Sequence, residues 1–359
     1  MSLTPASGHL PRGDQGVPSK TLDQATRHSS QFIFRLVAAC LAITFVTTTA
    51  NADAAESLAR ARSFLAGLSQ GQKAIASAEI SAPDRSSWSY LPGSRPGLCI
   101  AELDEGSRRR LDQFLTVALG PRGVSRALRI RRTEPVEERN GGVKLGPDEF
   151  RIRFFGLTGE GSPPAWAWRF EGHHLSLHQT IVGAEVVSTT PIFLGSVVRE
   201  DERGEPLGAE DARAEAILES IPKADRPTAL DPRKLPGDLR TAMLPEERWR
   251  FEGGLSLDRC GAGGRVLADA IVDDLLSMHS LDSVAGLRRA WKDTADTAIT
   301  FAWCGEPDRR RPHQWRLESP LLIVEFSHSG GNVEHGHLVL RTRGGEFSNR
   351  SEQAWRDRP

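Results

Sequence analysis

Phe150-Arg151-Ile152-Arg153-Phe154 alternates apolar and basic side chains without a break. Successive side chains on a strand point to opposite faces, so this pattern describes a strand with one face buried and one wet. It also marks the place where the period of the chain changes. Upstream, Leu58, Phe64, Leu65, Leu68 and Ile75 follow helical spacing across 54–78, and Leu111, Phe114, Leu115 and Ala118 do so across 104–119. The basic run Arg126–Arg132 reads as a solvated helix face. Downstream, 165–171, 174–182 and 191–195 continue in strand style. Helical patterns return at 209–221, 265–279 and 282–291, with a Pro-rich surface loop expected over 222–245. Strands close the chain at 298–303, 313–318, 321–327 and 335–341. Helices, strands, helices and strands in blocks give an α+β fold: a mainly antiparallel sheet with flanking helices, in a single large domain.

The chain has 359 residues, 38% of them hydrophobic, and a formal net charge of −1. That is enough apolar material for a real core, and it offers no electrostatic case for nucleic acid. Residues 1–30 are polar. Phe32-Ile33-Phe34-Arg35 then leads into an apolar run over 36–46 and the small-residue pattern Ala50-Asn51-Ala52. A basic flank, a short apolar core and an A-x-A site describe a signal peptide, here residues 1–52 with an extended polar N-region. Residues 53–359 form the domain, exported to the periplasm or the extracellular space, with no stable membrane span after cleavage. Val37-Ala38-Ala39-Cys40 offers a lipoprotein box as the alternative. Cleavage would leave Cys99, Cys260 and Cys304, so at most one internal bridge is expected. Without a C-x-x-C pair, a thiolate metal site is not.

Six of the ten histidines fall in two segments, His173, His174 and His178 in one, His328, His335 and His337 in the other. Histidine is the commonest metal ligand. In a strand, His335 and His337 would share a face ~6–7 Å apart and could reach one ion. The bland reading is two surface histidines on an edge strand. His173 and His174, as neighbours on a strand, would face opposite ways, so only one would enter a given site. His178 lies ~13 Å along from His174, too far to join the same ion, and reads as a surface or rim residue. Glu325 sits in Leu322-Ile323-Val324-Glu325-Phe326, where a carboxylate is costly unless paired or ligated. It could complete a histidine–carboxylate metal set or form a salt bridge with Arg316 or Arg341. Trp166, Trp168, Trp303 and Trp315 read as core. The chain has no G-x-G-x-x-G, no P-loop, no G-x-S-x-G and no H-E-x-x-H.

An ordered set of strings now carries a resemblance: Trp166 to Leu177 with Gly172-His173-His174-Leu175-Ser176-Leu177 at its end, Thr190 to Gly195, Phe301-Ala302-Trp303 with Gly305, Trp315-Arg316, Ile323 to Phe326, and His335 and His337 before Arg341. This set resembles the exported proteins known as the domain of unknown function 3500 family, over roughly residues 57–350. The resemblance implies no activity. It places His173, His174, Glu325, His335 and His337 on motif positions and takes weight from His178 and Cys304. The sequence departs from the pattern at Ser327, where aspartate is expected, and at Glu346-Phe347-Ser348, where an Asp-aromatic-Gly turn is expected. A histidine expected near the C-terminus is also missing from 350–359. If the family's site uses those groups, this member is altered.

Two functional expectations follow. One is an exported metal-dependent enzyme, hydrolase or oxidoreductase. His174, His335 and His337 would hold zinc, iron or copper, with Glu325 as fourth ligand or general base and His173 behind them, acting on a small molecule. The other is an exported binding or structural protein whose histidines line a ligand pocket.

Overall fold

The computed structural model describes residues 53–139, 142–159, 161 and 163–348. The segment read as a signal peptide lies outside them. Among the described residues seven helices stand in chain order: α1 (53–66), α2 (Gln70–Ala76), α3 (Glu105–Thr133), α4 (Gly208–Ser220), α5 (Arg226–Ala229), α6 (Gly264–Leu276) and α7 (Leu281–Lys292). None is long and apolar enough to cross a membrane. The strands are β1 (Ser77–Ala78), β2 (Leu98–Cys99), β3 (Glu137–Arg139), β4 (Val143–Leu145), β5 (Arg151–Phe155), β6 (Ala165–Glu171) and β7 (Leu175–Val182). They continue with β8 (Glu185–Ser188), β9 (Ile192–Ser196), β10 (Leu255–Ser256), β11 (Thr300–Gly305), β12 (His313–Glu318), β13 (Leu322–His328) and β14 (Gly336–Thr342).

The fold is α+β. Twelve strands make one sheet in the order β1-β5-β6-β7-β9-β14-β13-β12-β11-β10, with β2 on β5 and β8 on β7. Only the β1–β5 pair is parallel. Two meanders, β5–β7 and β11–β14, are consecutive antiparallel strands, and β9 joins them by pairing with both β7 and β14. That junction brings residues near 174 beside residues near 337.

The two faces of the sheet differ. One packs Leu194, Phe326, Leu338 and Leu340 into the main core with Phe64, Phe114, Ile217, Ile271 and Leu275 of the helices. The other face carries a smaller cluster of Trp88, Tyr90, Phe193, Leu239, Val339 and Phe347. Loop segments cover it rather than helices. The tryptophans Trp166, Trp168, Trp303 and Trp315 are core, each almost fully buried.

Several expectations change. The helix expected over 54–78 is two helices, because Ser69 starts a new one: its hydroxyl accepts from Gln72 N while the Gln72 side chain accepts from Ser69 N. The helix from Asp104 does not stop at Leu119. It bends at Gly120 (φ 69°) before Pro121 and runs on to Thr133. Its basic run is not simply solvated, since Arg126, Arg129 and Arg131 pair with Glu210, Asp201 and Asp148. The expected surface loop 222–245 instead packs onto the second sheet face, burying Asp231, Leu239 and Thr241. Cys99, Cys260 and Cys304 are buried free thiols with no bridge.

Candidate metal centre

β6 ends at Glu171 and β7 begins at Leu175, so His173 and His174 occupy the turn between them, not a strand. The backbone closes from Gly172 N to Leu175 O at 2.8 Å. A side chain at 172 would stand 2.5 Å from the Phe150 ring, which leaves room for glycine only. Strand alternation therefore does not apply, and the two imidazoles lie side by side, ring centroids 3.8 Å apart.

Glu134, the residue that ends α3, reaches both. Its Oε1 is 2.7 Å from His173 Nδ1 and its Oε2 is 2.9 Å from His174 Nδ1. Burial opposes ionisation of Glu134, but the hydrogen bonds to His173 and His174 outweigh it and hold the carboxyl at about 2. An ionised carboxylate only accepts, so both imidazoles present Nδ1–H to it and keep Nε2 for another partner. A carboxylate behind a histidine, fixing tautomer and ring orientation, is the usual outer support of a metal-binding imidazole.

His335 arrives from the far end of the chain, in a tight turn just before β14. Its N–H donates to Asn332 O at 2.9 Å, and its carbonyl accepts from Ser329 N at 2.8 Å. The turn needs the left-handed backbone of Gly330 and Gly331 (φ 63° and 72°). His335 Nε2 lies 2.9 Å from His174 Nε2. One ligand nitrogen from each of His173, His174 and His335 falls within 4.8 Å of the others, a group that could hold a metal ion. Burial, then repulsion from neighbouring histidines, pushes His335 down to about 3. Burial takes His174 to about 4 despite Glu134. Both are neutral at neutral pH, the form that ligates.

His337 stands beside this group, in β14 opposite Gly195 of β9 and Ser327 of β13. Its ring centroid is 4.7 Å from that of His335 and 5.6 Å from that of His174, but it is not in the mutually close set. Nδ1 is 2.8 Å from Asp238 Oδ1. Asp238 also accepts from Leu239 N at 2.7 Å and from the Ser329 hydroxyl at 2.8 Å. His337 is 2% exposed, and its Nε2 has no hydrogen-bond partner among the described residues. The rings of Tyr90 and Phe193 pack against it at 4.9 and 5.3 Å. Gly195 makes the crowding possible, because a Cβ there would stand 2.5 Å from His174 Cδ2 and 3.1 Å from His337 Cδ2.

Glu325 is fully buried, and its oxygens are occupied away from the imidazoles. They accept from Thr241 N at 3.0 Å, the Thr241 hydroxyl at 2.8 Å, Arg240 N and the Gln314 side-chain amide. Burial pushes its carboxyl up, against the donors of Thr241 and Arg240. Glu325 thus holds the 238–241 loop, whose Asp238 in turn anchors His337. It makes no ion pair with Arg341, which binds Glu346 instead at 2.6 Å.

His178 is not at a rim. It is buried, its Nε2 2.9 Å from the Ser176 hydroxyl and its ring edge-on to Phe347. His328 packs against His313, which is 2.8 Å from Asp211. The centre's carboxylate supports, Glu134 and Asp238, carry no signal of their own in the sequence. Glu134 follows a basic run and Asp238 sits in a Pro-Gly-Asp turn, and neither stretch differs from ordinary surface.

The family model described as protein of unknown function (DUF3500) matches residues 50–349. The chain belongs to this family. The match spans both meanders and all of the histidines just placed. No curated protein and no solved structure matches the sequence at a significant level.

Proposed function

We propose that this DUF3500 protein is an exported metal-dependent enzyme whose centre is His173, His174 and His335. The observation that supports it most is the shared Glu134 carboxylate, which engages Nδ1 of both His173 and His174 and leaves Nε2 as their ligating atom, in a group with His335. Three imidazole ligands with no thiolate suit zinc, copper or iron rather than magnesium or calcium. Three protein ligands leave a position open, as in catalytic rather than structural sites. Bound there, such an ion would polarise a small-molecule substrate or water. Glu134 orients the two imidazoles, the buried His173 and His174 rings exclude bulk water on their side, and the turn at 329–335 delivers the third ligand. Export rests on the signal-like segment at 32–52.

A non-catalytic role is favoured by one contact: the imidazoles of His174 and His335 already satisfy each other at 2.9 Å. Elemental analysis and metal titration of the purified protein separate the readings. The enzyme reading expects one equivalent of transition metal per chain, lost in His335→Ala and His173→Ala while both variants stay folded. A folded wild type that takes up no zinc, copper or iron on titration removes it.

A further inference from the structure

Asp238 accepts from a backbone N–H and a serine hydroxyl, so its side chain is a carboxylate acceptor, and His337 must present Nδ1–H to it. Nε2 is then the ring nitrogen left for another partner. This nitrogen is buried and unmatched among the described residues. A buried acceptor left without a donor is expensive, and such atoms in folded proteins call for an explanation. The ring's position supplies one. His337 Cδ2 and His174 Cδ2 both crowd the same point over Gly195, and Nε2 is bonded to Cδ2 in each ring. The rings of His337 and His174 thus meet over Gly195, and the His335 ring stands 4.7 Å from the first and 5.0 Å from the second, centroid to centroid. The walls here are apolar, the faces of Tyr90 and Phe193.

We propose that His337 Nε2 is the hydrogen-bond acceptor for a small protic ligand bound at the position that His173, His174 and His335 leave open. The ligand class is a compact molecule with an O–H or N–H next to the atom that enters the centre. Asp238 is the positioning residue, since it sets which nitrogen of His337 accepts. The inference rests on the metal reading above and adds a choice among ligands to it.

Pyrazole and 1-methylpyrazole test this. Either can place one nitrogen on a metal, but only pyrazole carries an adjacent N–H. Protein loaded with cobalt(II) is titrated with each and followed by the visible spectrum. Wild type is expected to bind pyrazole about 10-fold or more tightly than 1-methylpyrazole, the range of one hydrogen bond to an otherwise unsatisfied group. His337→Phe should abolish the preference. Asp238→Asn provides a second check that keeps the imidazole: an amide can donate to Nδ1, which turns Nε2 into an N–H and should also remove the preference. A wild type that binds cobalt yet does not discriminate overturns the proposal and leaves the metal reading standing, as does a preference that survives both variants. Failure to bind cobalt, zinc or copper at all removes the metal reading and this inference with it.

Discussion

His174 and His335 meet nitrogen to nitrogen, Nε2 to Nε2 at 2.9 Å, although they stand 161 positions apart in the sequence. Because His174 carries its proton on Nδ1, His335 must donate from Nε2. Two nitrogens bound to one tetrahedral ion at ~2.1 Å stand roughly 3.4 Å apart. Metal uptake must therefore part the pair by a few tenths of an ångström and move the His335 proton to Nδ1. Nitrogen-15 spectra of the imidazoles should show His335 changing tautomer on zinc addition while His174 keeps its own. An unchanged His335 would mean that it is not a ligand.

Replacing Glu134 with glutamine should weaken metal binding about 10- to 100-fold, the usual effect of losing an outer carboxylate. One amide cannot accept from two Nδ1–H groups through both of its heavy atoms, so one of the two rings loses its fixed tautomer. Competition titration with a chelator measures this. Affinity equal to wild type would show that Glu134 has no part in the centre.

Gly195→Ala should injure the centre more than the fold. The new methyl carbon would lie 2.5 Å from His174 Cδ2, and the ring must leave its present position to admit it. The expected result is a folded protein with at least a ~10-fold loss of metal affinity, since about 1.4 kcal/mol of ligand strain suffices for that. Near-wild-type affinity would contradict the packing described.

Glu325→Ala should act on stability. It strips acceptors from Arg240 N, Thr241 N and the Gln314 amide, and each buried donor left unmet costs about 1–3 kcal/mol. A loss of roughly 3 kcal/mol or more is expected in denaturant unfolding, with metal stoichiometry kept in the folded fraction. A stable variant that cannot bind metal would instead place Glu325 in the centre.

The metal-free protein should lose stability steadily as pH falls from about 6.5 towards 3. Burial holds His174 and His328 at about 4 and His279 and His335 at about 3, so the folded chain refuses protons that the unfolded chain accepts below 6.5. The stabilisation is full above 6.5 and is lost as pH drops through the folded values. For His174 alone the shift is worth on the order of 3 kcal/mol. Glu134, held at about 2, works in the same direction, stabilising above its ordinary value and losing that contribution as pH falls towards 2. Thermal melts across this range give the check, and a flat profile would be inconsistent with neutral buried imidazoles.

The architecture was legible wherever periodicity was strong. The alternation at 150–154 and the final four strand patterns correspond to β5 and β11–β14, within a residue or two. The meeting of the two histidine segments was only suspected, because it depends on β9 pairing with both β7 and β14, and pairing partners are not written in local pattern. His173 and His174 were misread as strand neighbours because the chain turns at Gly172 between β6 and β7, so alternation does not carry from one strand into the next. Glu134 and Asp238 were missed for a different reason. Their roles come from where α3 and the 238–241 loop end in space, and a single carboxylate carries no period.

The β9–β14 seam has a mechanical consequence. An ion held by His174 and His335 would be a removable cross-link between the two ends of a very long chain segment. Closing a loop of that size in the unfolded chain stabilises the folded state much as a long-range disulfide does, by several kcal/mol in the chain-entropy account. With its cysteines buried and unbridged, the protein has no such covalent staple of its own among the described residues. Chelation should therefore loosen the two half-sheets from each other at the seam first, so that backbone amides of β9 and β14 exchange with solvent before those in the middle of either meander.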